Sequence, residues 1–145
     1  MTAGHLAEAI QCPVVILAMP WTRIEEALKS VGGWQDRILI DATDISLSYA
    51  PDFAVDDLGE DSGSEIVARL APDSRVVKAF NTLPIEDMFA PLPSQDLRRV
   101  LFVAGGDEAA VDSVQQMVSD IGLHPVALGA LSGLELFRDA SKNVG

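Results

Sequence analysis

Short apolar runs alternate with helix-period segments along this chain. The first run, PVVILA at 13–18, is continuous and β-branched, which suits a strand buried on both faces. After it, Trp21, Ile24, Leu28 and Val31 fall at i, i+3, i+7 and i+10, one face of a helix that Gly32-Gly33 would end. RILIDAT (37–43) predicts a second strand, followed by a polar, acidic loop over 44–61. Ser62-Gly63-Ser64-Glu65 has the spacing of a capping box, and Ile66, Val67 and Leu70 supply an apolar stripe behind it. SRVVKAF (74–80) is a third strand. Pro84, Pro91 and Pro93 punctuate the next stretch, leaving room for one helical turn near 85–89. RVLFVAGG (99–106) is a fourth strand. Asp107 then caps a helix with Val111, Val114, Val118 and Ile121 on one face, and Gly122 stops it. HPVALG (124–129) is a fifth, shorter strand. Residues 1–11 read as the end of a helix, and 130–145 as one or two helical turns with a frayed tail.

Strand–helix alternation of this kind predicts an α/β fold with a doubly wound, mostly parallel sheet of about five strands. No repeat, low-complexity tract or linker divides the chain, so residues 1–145 form one domain. In such sheets ligands bind beyond the carboxyl ends of the strands. Here those ends are 18–21, 41–43 and 79–82.

Composition narrows the function classes. Hydrophobic residues make up 48% of the chain and its mean hydropathy is +0.23, which supports a real core and excludes a disordered chain. The formal net charge of −12 sets the chain against nucleic acid and anionic lipid surfaces. The adjacent pair Arg98-Arg99 leads directly into an apolar strand, where it reads as a gatekeeper against aggregation. No apolar run reaches the ~20 residues of a membrane-crossing helix. The first residues lack the basic and apolar blocks of a signal peptide, and Cys12 is the only cysteine, so the expected compartment is the reducing cytoplasm.

Candidate chemistry gathers at the strand ends. In Met19-Pro20-Trp21 the proline would fix a turn and the indole would offer a flat apolar wall to a ring. The plainer alternative makes Pro20 the first helical residue and Trp21 a core side chain. Asn81-Thr82-Leu83-Pro84 leaves the third strand either as a ligand loop or as a turn in which Asn81 bonds its own backbone. Asp41 and Asp44 are the carboxylates nearest these ends. The acids Asp52, Asp56, Asp57, Glu60 and Asp61 lack the spacing of a calcium loop and read as a solvated stretch. His5, His124 and Cys12 lie too far apart in sequence to read as a zinc site, so no metal is expected. Gly105-Gly106 follows a strand and precedes a helix, but Asp107 and Glu108 come next and favour a plain tight turn over an anion cradle.

An apolar strand ending in Pro20-Trp21, the Asp41-Ala42-Thr43 strand end and the VVKAFNTLP strand at 76–84 occur here in a specific order. With SGSE at 62–65, VLFVAGGDEAAV at 100–111 and GLHPVALGALS at 122–132, the set resembles the NADPH-dependent F420 reductases, also called F420-dependent NADP oxidoreductases. The resemblance covers nearly the whole chain and weakens after Leu134. It implies a Rossmann-like dinucleotide-binding oxidoreductase that passes hydride between NADP(H) and F420 or a flavin-like cofactor. It implies cofactor contacts from Ala18, Met19, Pro20, Trp21, Thr43, Asn81, Thr82 and Leu83. No catalytic side chain is implied, because hydride transfer between two rings needs positioning more than a protein acid or base.

The chain departs from that family in two places. No Gly-x-Gly-x-x-Gly turn joins a strand to a helix, although such a turn normally holds the pyrophosphate. Asp44-Ile45 stands where relatives usually carry Asn-Pro. The reading is therefore of the carboxyl-side portion of a Rossmann-like domain, with the first βαβα portion expected before residue 14. NADP binding by this portion is expected to be weak or absent, which leaves a non-catalytic binding or assembly module as the alternative. With that neighbour missing, the strand at 14–18 becomes an uncharged apolar edge, and the expected remedy is a homodimer through it.

Overall fold

The computed structural model describes residues 4–48, 52 and 54–134. Of the helical turns and frayed tail expected over 130–145, a 3-10 turn at Leu131–Leu134 is described and 135–145 lie outside the described residues.

All five expected strands form one sheet. They are β1 (Val14–Leu17), β2 (Ile38–Asp41), β5 (Arg75–Lys78), β6 (Val100–Gly105) and β7 (His124–Ala127), in the order β1-β2-β5-β6-β7. β1, β2 and β5 are mutually parallel, and β6 is parallel to β7. β5 and β6 are antiparallel, pairing Val77 with Gly105 and Lys78 with Ala104. The sheet is mostly parallel, as expected, with one reversal. Its cause is the connection over 79–99, which holds only the single turn α4 (Ile85–Met88). Without a crossover helix to carry it over a face, the chain re-enters the sheet from the end it left.

Helices cover both faces. Alternate side chains of each strand point to opposite sides. Leu39 and Val76 face a core built with Trp21, Ile24 and Leu28 from the 3-10 turn (Trp21–Arg23) and α2 (Ile24–Lys29), and with Val67 of α3 (Gly63–Leu70). Ile40, Val77, Leu101 and Val103 face the other core, closed by Ala110, Val114 and Val118 of α5 (Glu108–Asp120). Each such large side chain, fully buried, contributes about 1.5–3 kcal/mol of transfer free energy.

The local signals act as the sequence predicts. Ser62 accepts from the Glu65 N–H at 3.2 Å and the Glu65 carboxylate accepts from the Ser62 N–H at 2.8 Å, completing the box that opens α3. Asp107 accepts from the Ala110 N–H at 2.8 Å and opens α5. The single helix expected from Trp21 to Val31 is instead a 3-10 turn followed by α2. A short helix, α1 (Leu6–Ala9), precedes β1, with Leu6 and Ile10 against the Trp21 core. A short antiparallel hairpin, β3 (Ser46–Ser48) with β4 (Ala54–Val55), rises from the acidic stretch. Its strands are too short and polar to show a period in the sequence. Among the described residues no helix is long and apolar enough to cross a membrane.

Candidate functional site

The parallel register aligns Leu17 with Asp41 and Asp41 with Lys78, so β1, β2 and β5 end level. The segments 18–21, 42–44 and 79–83 therefore leave the sheet along one edge. A shallow crevice at such an edge is where an open α/β sheet takes ligands.

Beneath this edge lies a buried polar network. Asp41 is fully buried. Its Oδ1 accepts from the Thr43 N–H at 2.9 Å and from Thr43 Oγ1 at 2.7 Å. Its Oδ2 accepts from Ser64 Oγ at 2.6 Å and from Lys78 Nζ at 3.2 Å. Lys78, whose side chain is 14% exposed, also donates to the Thr43 carbonyl. A carboxylate out of water needs such a set of donors and a countercharge. The network ties the end of β2 to β5 and to the first turn of α3, and so fixes the backbone at Thr43. Asp41 is thereby committed to structure. Asp44, by contrast, is exposed at the mouth.

The expected site residues divide by exposure. Ala18, Pro20 and Thr82 are exposed, and Met19, Asn81 and Leu83 are half-buried. Met19 packs against the Trp21 core and Leu83 against the α5 core. Thr43 is buried at 3% exposure within the network just described. Trp21 is 9% exposed and its Nε1–H donates to Asp56 Oδ2 at 2.8 Å. Its ring also borders Gly63, where an added Cβ would stand 3.5 Å from two indole carbons. The structure thus sets the indole under the hairpin, in the core, with Pro20 ahead of it as an N-cap rather than a first helical residue.

The exit from β5 is strained. Phe80 has a φ of +66°. A left-handed backbone costs a residue with a Cβ about 1–2 kcal/mol. The twist turns the chain abruptly after Ala79 and sends Asn81 across the edge, where its Nδ2 reaches Asp44 Oδ1 at a long 3.5 Å. The side chain of Asn81 therefore reaches toward the β2 loop.

Gly105 pairs with Val77, one residue back from the end of β5, and because β6 runs against β5 the chain leads away from the edge at Gly106. A Cβ on Gly105 would meet Val111 Cγ2 at 2.8 Å and the Val76 carbonyl oxygen at 3.1 Å, so this glycine serves close packing. Among the described residues no cluster of three or more His, Cys, Asp or Glu could hold a metal ion.

Ser64 and Lys78 are the site residues that sequence reasoning missed. Lys78 carried a signal: it is a cation at the end of a strand whose middle is apolar, between Val77 and Ala79, where the strand meets the edge. Ser64 carried none beyond its place in the capping box.

Solved structures share this fold. The hypothetical protein SMa0349 from Sinorhizobium meliloti matches with a TM-score of 0.79 and 38% identity, over 89% of this chain and 62% of that one. The fold is Rossmann-like. A candidate F420-dependent NADP-reductase from Arthrobacter sp. FB24 matches with a TM-score of 0.79 and 24% identity, over 94% of this chain and 65% of that one. The chain thus spans less than two thirds of the length of either protein. No protein-family model matches the sequence.

Proposed function

We propose that this chain carries the ring-side crevice of an NADP-dependent oxidoreductase that passes hydride between NADP(H) and F420 or a flavin-like cofactor. The observation supporting this most directly is the level ending of three parallel strands, which gathers Ala18, Pro20, Asn81 and Thr82 along one edge of a Rossmann-like sheet. Flat rings suit that edge, with small and apolar side chains at its rim and a backbone braced from below. The phosphates do not suit it. Lys78, the cation nearest the edge, is committed to Asp41 and Thr43. The start of α3 is closed by its own capping box, and the exposed Asp44 opposes an anion. NADP(H), when bound, supplies the hydride, and the residues of this chain orient rings and exclude water. Titration calorimetry of the 145-residue chain with NADPH should give no tight binding, whereas FMN should shift the amide resonances of Ala18, Thr43 and Thr82. A low-micromolar NADPH dissociation constant, or FMN shifts confined to other strands, would overturn the reading.

A second reading, a binding or assembly module, has its own support. β1 is a terminal strand, without charge, and Ile16 is 52% exposed. Pairing with β1 of a second copy would cover that edge and make a two-fold homodimer. Light scattering should then report a dimer that Ile16→Lys splits, and a monomer at high micromolar concentration refutes it.

A further inference from the structure

The segment between α4 and β6 and the residues just after α5 border an open groove of about 430 Å3. Its walls are mixed, with large apolar side chains set beside Ser94, Gln95 and two arginines. Phe89, Leu97 and Ile121 line it and are 58%, 50% and 47% exposed, with Leu92 beside them at 36%. Large apolar side chains gathered in one open concavity mark a binding surface more often than a bare one.

Arg98 and Arg99 also line this groove. Arg23, Lys29, Arg69, Arg75 and Lys78 each face a carboxylate. Arg98 and Arg99, like Arg37, make no such ion pair among the described residues, on a chain with a net charge of −12, and they are the two that stand side by side in one groove. They are held instead by neutral acceptors. Arg98 Nη1 donates to the carbonyls of Gln95 at 2.7 Å and Leu97 at 2.9 Å, and Arg99 Nη1 donates to the Ala90 carbonyl at 2.8 Å. Those bonds tether one nitrogen of each guanidinium at the groove wall, and no carboxylate among the described residues pairs with them. A tethered pair of guanidiniums recognises a planar carboxylate well.

We propose that this groove binds a small free carboxylate with an apolar body, its anionic end at Arg98 and Arg99 and its body along Phe89, Leu97 and Ile121. The occupant is a soluble molecule rather than a bilayer, since the acidic surface repels anionic lipid. None of the residues assigned to the crevice lines the groove, so this inference stands apart from the cofactor reading.

Amide NMR on the whole chain tests it, with decanoate as the probe below its micelle concentration. Decanoate should saturate shifts at Leu97, Arg99, Gly122 and Leu123. Decanol, equal in length and uncharged, should bind about ten-fold more weakly, the loss of one charge-assisted contact. Arg98→Gln and Arg99→Gln should each weaken decanoate several-fold, while Arg98→Lys and Arg99→Lys retain most of the affinity and guard against a folding defect. Phosphatidylglycerol vesicles should not bind. Equal affinity for decanol and decanoate, decanoate shifts elsewhere, retained binding in both glutamine variants, or vesicle binding would overturn the proposal. So would a groove already filled by a second copy, seen as concentration-dependent shifts at these residues without ligand.

Discussion

Replacing Lys78 with methionine removes one ammonium group and keeps most of the stem. Asp41 then stays fully buried with its charge and loses its only cationic partner in the network. Removing one member of a buried ion pair costs about 3–5 kcal/mol. Three neutral donors remain on Asp41, two from Thr43 and one from Ser64, which places the expected loss near the lower end, about 3 kcal/mol. In a chain of this length that corresponds to a fall in Tm of roughly 6–12 °C. Urea unfolding followed by circular dichroism measures it, with Lys29→Met as the control, because Lys29 pairs with Glu25 on an exposed helix face and should matter little. Adding Asp41→Asn to Lys78→Met removes the orphaned charge and should return part of the loss. A Lys78→Met variant no less stable than the Lys29→Met control would refute the buried-network account. The crevice backbone at Thr43 would then need another support.

Gly105→Ala should cost about 1–3 kcal/mol in urea unfolding, because its Cβ meets the Val76 backbone, whereas Gly106→Ala, with nothing within 4 Å, should be nearly neutral. Equal effects at the two sites would show that β6 can shift. The hydrogen bond from Arg69 holds the Asp61 carboxyl below its ordinary range. The stability from this pair is present above the unfolded carboxylate value and is lost as pH falls through the lowered folded value. The urea midpoint of Arg69→Gln should therefore sit slightly below the parent at neutral pH and merge with it in strong acid. The gap should shrink in salt, since both side chains are exposed. A gap that widens on acidification would reverse the sign of this linkage.

The parts of the fold written as periodicity were legible. Apolar runs with β-branched residues gave all five strands of the main sheet, and SGSE and Asp107 gave two helix starts. Strand direction was not legible. It depends on whether a connection can hold a crossover helix, and the three prolines over 84–93 only hinted that this one cannot. That 18–21, 43 and 81–83 leave the sheet along one edge was readable, because parallel strands in such sheets end on the same side. The orientation of Trp21 was not, because the indole is sequestered by Asp56, 35 residues away on a hairpin with no sequence signature. Arg98 and Arg99 were visible as a pair, but the groove they rim is closed by Ile121–Leu123, which lie more than twenty residues further on and which the local sequence does not connect to them.

The reversal between β5 and β6 also has a genealogical consequence. It joins two contiguous blocks of chain, β1 through β5 and β6 through β7, by two registered pairs where each parallel neighbour has four. Recombination between related genes within 84–99 would exchange one block for another across only two registered pairs, but the newcomer would have to refill the core that Ile40 and Val77 share with α5. Every crevice residue would travel with the first block. The groove residues lie on the junction itself and just after α5, so a crossing within 88–99 would divide them. The edge would be inherited whole, while the groove would stay whole or be split according to where the crossing fell.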